Sequence, residues 1–83
     1  MTNDQADRLL LDALHQIAPE ADISNIDPDG LLQEELDIDS IDFLNLVTEI
    51  GERVGIDIPV REYPSLATFR GFVAYLAITA GGA

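Results

Sequence analysis

Asp39-Ser40-Ile41-Asp42-Phe43-Leu44-Asn45-Leu46-Val47-Thr48-Glu49-Ile50-Gly51-Glu52-Arg53-Val54-Gly55 carries the signals for both ends of a helix. Ile41, Leu44, Val47, Ile50 and Val54 recur every three or four positions, so they predict a narrow core-facing stripe that Leu46 widens. Asp42, Asn45, Glu49 and Glu52 fall opposite it, while Phe43 stands one step off the stripe as a rim residue or an apolar partner contact. Asp39 is a good N-cap, and Asp42 in the first turn complements the helix dipole. Gly55 supplies the stop. A helix over 40–54 follows.

Working upstream, Ala6, Leu10, Leu14 and Ile17 share one face of a helix expected from Asp4 to Ala18. Thr2, Asn3 or Asp4 caps it, and Pro19 ends it by disfavouring helical geometry at Ala18. From Glu20 to Ile38 the periodicity breaks at Asp27-Pro28-Asp29-Gly30, a turn signal. Ile23, Ile26, Leu32 and Leu36 give that connection apolar anchors, so it reads as a long ordered loop with a short turn near Leu31 to Glu35. Downstream, Ile56-Asp57-Ile58-Pro59-Val60 alternates like a strand but has no second strand to pair with, so an extended linker is expected. A last helix begins at Ser65 or Thr68 and carries Leu66, Phe69, Val73 and Leu76, with a short helix near Arg61 to Leu66. Gly71 inside it costs about 1 kcal/mol relative to alanine, which a close helix contact would justify. The expected fold is all-α: three main helices plus one short helix, in one domain spanning 1–83 with a frayed tail at 79–83.

Composition narrows the function. Leu, Ile, Val and Phe make up 27 of 83 residues, enough apolar content for a folded chain despite a net charge of −12. With four arginines, no lysine and sixteen acids, nucleic acid and anionic membranes would repel it, and its partners should present basic patches. Cysteine is absent, which removes disulfides, a thiolate nucleophile and a Cys-ligated metal. His15 alone makes no zinc site. The opening Met1-Thr2-Asn3-Asp4 lacks a basic, apolar leader, and no stretch approaches a membrane span, so a cytoplasmic monomer is expected.

Ser40 sits where a loop meets the amphipathic helix, and helix N-termini favour anions. Asp37, Asp39 and Asp42 crowd it with negative charge, and no basic side chain stands nearby in sequence to activate it. Such a serine suits modification by another enzyme better than catalysis of its own. On spacing alone, a serine helix cap beside solvated acids remains the plainer reading. An EF-hand loop starting at Asp37 fails, because its sixth residue is Asp42 and its twelfth Thr48. A phosphatase of the Asp-x-Asp-x-Thr type needs a buried strand that Leu32-Gln33-Glu34-Glu35-Leu36 does not provide.

From Leu32 to Leu76 the chain resembles the phosphopantetheine-dependent acyl carrier proteins. The resemblance rests on Asp39-Ser40-Ile41, the acidic helix after it, Ile58-Pro59 and the last-helix aromatic Tyr75. It implies an acyl-carrier-like four-helix bundle and a carrier, not an enzyme. A phosphopantetheinyl transferase would place 4′-phosphopantetheine from coenzyme A on Ser40, with Asp39 presenting the serine. The arm's thiol would hold acyl groups as thioesters for enzymes of fatty-acid, polyketide or specialised lipid biosynthesis. Those acyl-loading and acyl-transferring partners would dock basic patches against Asp37, Asp42, Phe43, Glu49 and Glu52. Leu36, Leu44, Val47, Ile50, Ile58, Leu66 and Phe69 would line an acyl-chain groove, with Tyr63, where the family often has a smaller side chain, narrowing its entrance. No metal is implied.

Two departures stand out. Asp37 occupies a position where the family commonly has glycine, so a different loop backbone is expected there. Pro59 to Tyr63 is similar to D-alanyl carriers, which keeps an aminoacyl cargo as an alternative. An unmodified acidic adaptor for a basic protein is the competing reading outside the carrier class.

Overall fold

Asn3–Ile17 forms α1, Leu32–Glu35 the single-turn α2, Ser40–Val54 α3 and Phe69–Thr79 α4. The structure is a computed structural model describing residues 2–79; of the tail expected at 79–83, Thr79 is instead the last residue of α4, and the rest lies outside the described residues. Short 3-10 segments at Ile23–Asn25 and Val60–Leu66 complete the order. The chain is all-α: among the described residues there is no strand, only one antiparallel bridge between Leu31 and Thr68. No helix among them is long and apolar enough to cross a membrane.

Each long helix begins for a local reason, and α3 also ends for one. Thr2 caps α1: its hydroxyl accepts from the Gln5 N–H at 3.1 Å, and the Gln5 side chain accepts from the Thr2 N–H at 2.9 Å. Asp39 caps α3, its Oδ1 accepting from the Asp42 N–H at 2.9 Å. Gly55 closes α3 at φ 72°, in the left-handed region that glycine enters without penalty. For α4, the Thr68 hydroxyl accepts from the Gly71 N–H at 3.0 Å.

Ala6, Leu10, Ala13 and Leu14 of α1 face α3 and α4, where Leu46, Ile50, Phe72 and Leu76 are fully buried. Removing each large side chain from water contributes roughly 2 kcal/mol. The α3 stripe is as expected at Leu46, Val47 and Ile50, which are buried, and differs in the first turn. There Phe43 faces inward, whereas Ile41 is 68% and Leu44 46% exposed. Helical spacing admits either choice, since Phe43 continues to Leu46, Val47 and Ile50 in steps of three and four. In α4 the fully buried aromatic is Phe72, with Phe69 and Val73 half-buried beside it. That helix is apolar almost all round, so periodicity could not select its inner face.

The connection from α1 to α3 carries α2 where a short turn was expected, and the 3-10 turn at Ile23–Asn25 in addition. It is stitched down at several points. Asp29 N–H donates to Asp27 Oδ1 at 2.9 Å, and Asp27 N–H to Glu35 Oε1 at 2.7 Å. Leu32 N–H reaches the Ala67 carbonyl at 2.8 Å, and Arg70 N–H the Pro28 carbonyl at 2.9 Å. These bonds hold the segment ahead of α2 against the start of α4. The expected strand-like stretch after Gly55 is an extended link into Val60–Leu66, as its missing partner strand required.

Candidate functional site

Ser40 is the first residue of α3 and is exposed. Asp39 performs the capping, so the serine hydroxyl is not consumed by the helix start and has no partner among the described residues. The reading of Ser40 as a mere cap therefore fails. Asp37 holds φ 53°, the left-handed conformation that glycine prefers. An aspartate tolerates this region better than most residues, since its short polar side chain can bond locally.

The Ser40 hydroxyl opens on a cleft of about 560 Å³. Phe43 and Leu44 form one wall, Tyr63, Pro64 and Ala67 the facing wall, and Leu31, Gln33 and Glu34 the rim. The stitching of Leu32 to Ala67 fixes the distance between rim and far wall. Phe43 and Tyr63 meet edge to face, with ring centroids 6.2 Å apart and planes at 81°.

The expected site residues are spread over several places. Phe43, expected as a rim residue or a partner contact, is only 7% exposed and lines the cleft from the core side. Of the seven groove residues, Leu44 alone lines the Ser40 cleft. Leu36, Val47, Ile50, Ile58 and Leu66 are buried, with Val47 and Ile58 beside a second opening farther along α3. Phe69 turns to the α1 side, lining openings with Asp7 and Pro28. Leu31, Pro64 and Ala67 were not anticipated, because only tertiary contact brings them to the serine.

The charged residues divide by environment. Asp37 and Glu52 are exposed, Asp42 and Glu49 half-buried. Glu49 is engaged within α3, accepting from Arg53 Nε at 3.0 Å. No group of three or more His, Cys, Asp or Glu suited to a metal occurs among the described residues.

A family model described as a phosphopantetheine attachment site matches residues 8–76. The chain belongs to the acyl carrier protein family. It is 35% identical over 75 residues to an acyl carrier protein of Streptomyces coelicolor, covering 86% of this chain and 82% of that protein. An acyl carrier protein of Renibacterium salmoninarum is 36% identical over 61 residues, 74% of this chain and 70% of its own. One of Rubrobacter xylanophilus is 33% identical over 55 residues, with coverages of 66% and 68%.

As an acyl carrier the protein is not an enzyme, and its prosthetic group is covalent 4′-phosphopantetheine. The residues present fit that group. A phosphodiester needs an accessible hydroxyl, and an arm with an apolar load needs a sheltering surface next to it. The exposed Ser40 at the lip of the cleft offers both. The absence of cysteine from the chain is compatible with a sulfur supplied by the cofactor.

Proposed function

We propose that Ser40 is the tether. Its oxygen would displace the adenosine bisphosphate part of coenzyme A at phosphorus, giving a serine phosphodiester while the hydroxyl proton passes to the transferase. The group's terminal thiol then carries acyl cargo as a thioester. The observation that carries this reading is the exposed, unpartnered Ser40 hydroxyl at the start of α3, with Asp39 relieving it of the capping role.

The four-helix bundle implied by the resemblance, made of α1, α3, α4 and the 3-10 segment Val60–Leu66, serves in this reading as the single-domain frame that holds the tether. Asp37, Asp42 and Glu52 recruit basic surfaces, starting with the transferase and continuing with the acyl-loading and acyl-transferring enzymes. Glu49 contributes less because Arg53 already neutralises it. The apolar contact assigned to Phe43 passes to Ile41, which is 68% exposed between the acids. Exposed charge pairs are worth about 0–1 kcal/mol each, so docking is reversible and salt-sensitive, as a shuttle visiting several enzymes in turn requires. A cytoplasmic, monomeric carrier of a fatty-acid, polyketide or specialised lipid pathway fits this combination.

Intact-mass analysis after incubation with coenzyme A and a broad-specificity transferase tests the tether. The wild-type protein gains one phosphopantetheine and Ser40→Ala gains none. An unmodified wild type, or an equal adduct on Ser40→Ala, overturns the assignment.

A further inference from the structure

A second opening, of about 460 Å³, lies farther along α3 and includes Val47, Thr48, Gly51 and Ile58. The α3 residues of the two openings continue one row: Ser40, Phe43 and Leu44 in the first, then Val47, Thr48 and Gly51 in the second. Steps of three and four keep these positions on one side of the helix. The two openings are thus successive parts of one furrow beside α3. Among the described residues, Tyr63 is the only side chain that lines both.

Its position is braced. Tyr63 is half-buried within the 3-10 segment Val60–Leu66 and stacks edge to face on Phe43. Leu46, Ile50 and Leu66 are fully buried. The phenol ring meets a chain entering at Ser40 beside Phe43, about one helical turn along α3 from Ser40.

We propose that Tyr63 is a specificity-determining stop that limits the sheltered cargo to short acyl chains, an inference that rests on the Ser40 tether. The first cleft, apolar on its walls and polar at its Gln33 and Glu34 rim, takes a short aliphatic group. The second receives none while the phenol divides them. Each methylene that moves out of water shifts the inserted-to-exposed equilibrium by up to about fourfold. Insertion should therefore strengthen with chain length until the tail reaches Tyr63, and then stop.

The test loads butyryl-, hexanoyl- and dodecanoyl-pantetheine from the matching coenzyme A thioesters, verifies loading by mass, and maps backbone amide shifts and melting midpoints against the unacylated form. In the wild type, cargo-dependent shifts stay near Leu31, Leu44 and Ala67, and the midpoint gain levels off from hexanoyl to dodecanoyl. In Tyr63→Ala, dodecanoyl shifts extend to Thr48, Gly51 and Ile58 and the midpoint keeps rising, while Tyr63→Phe behaves as the wild type. Wild-type dodecanoyl shifts that already reach Thr48 and Ile58, shifts in neither cleft, or a Tyr63→Ala pattern identical to the wild type would each overturn the stop. Should Tyr63→Ala fail to fold, Tyr63→Leu replaces it, and the wild-type dodecanoyl map decides independently. Failure of loading itself defeats the tether, and is told apart from failure of the stop by the mass measurement.

Discussion

Arg70 of α4 grips Asp29 in the α1–α2 connection with a two-bond fork, Nε donating to Oδ1 at 2.6 Å and Nη2 to Oδ2 at 3.3 Å. The same junction is crossed by the Arg70 N–H bond to the Pro28 carbonyl and by Leu32 N–H to Ala67. Charge and backbone thus fasten the segment that leads into the cleft rim, although both side chains are about two-thirds exposed.

The hydrogen bond from Arg70 holds the Asp29 carboxyl below its ordinary 3.8, with desolvation opposing and the Arg70 charge adding to the lowering. A group whose folded-state pKa is depressed contributes stability above its unfolded pKa and loses it as pH falls through the folded value. Asp29→Asn should therefore speed hydrogen exchange at the Leu32 and Arg70 amides at neutral pH. The difference from wild type should shrink progressively below pH 3.8. Equal protection in both proteins at neutral pH would mean that the fork fastens nothing.

Asp37 at φ 53° separates residues by their tolerance of left-handed backbone. Asp37→Gly should leave stability near wild type, since relief of strain is offset by the greater freedom of glycine when unfolded. Asp37→Val should cost about 1–2 kcal/mol relative to Asp37→Gly, because a β-branched side chain fits this region badly. Urea midpoints of the two variants provide the comparison.

Gly71 is tested by its smallest enlargement. A Cβ there would collide with the Ser65 backbone carbonyl, and would also sit 3.0 Å from the Thr68 hydroxyl. Helix propensity alone favours Gly71→Ala by about 1 kcal/mol. Overpacking against backbone costs about 1–3 kcal/mol, so the variant should be destabilised on balance. A raised melting temperature would show that the 3-10 segment moves aside without strain.

Net charge −12 is confined to a molecule of 34 × 24 × 21 Å. At 0.1 M salt the screening length is about 10 Å, shorter than any of these dimensions, so much of the self-repulsion is removed. Thermal scans from low to moderate ionic strength should show a rising midpoint. The loss of a surface pair such as Arg53–Glu49 opposes this weakly, as it is worth only about 0.3–0.5 kcal/mol.

Sequence by itself determined the capped starts of α1 and α3 and the glycine stop of α3. Caps and stops are local chemistry: Asp39 ahead of Ser40, Thr2 ahead of Gln5 and Gly55 after Val54 act through bonds spanning a few residues. Tertiary structure decided which faces turn inward. Ile41–Leu44 and Phe43–Leu46 have the same three-residue spacing, and tertiary packing, Phe43 against Tyr63 included, buries Phe43 and leaves Leu44 at the lip. It likewise decided the cleft, whose walls come from separate segments of the chain. Tyr63 shows the division most clearly: its identity was legible as an unusual bulk, but its place between two openings depends on packing against Phe43, twenty residues away.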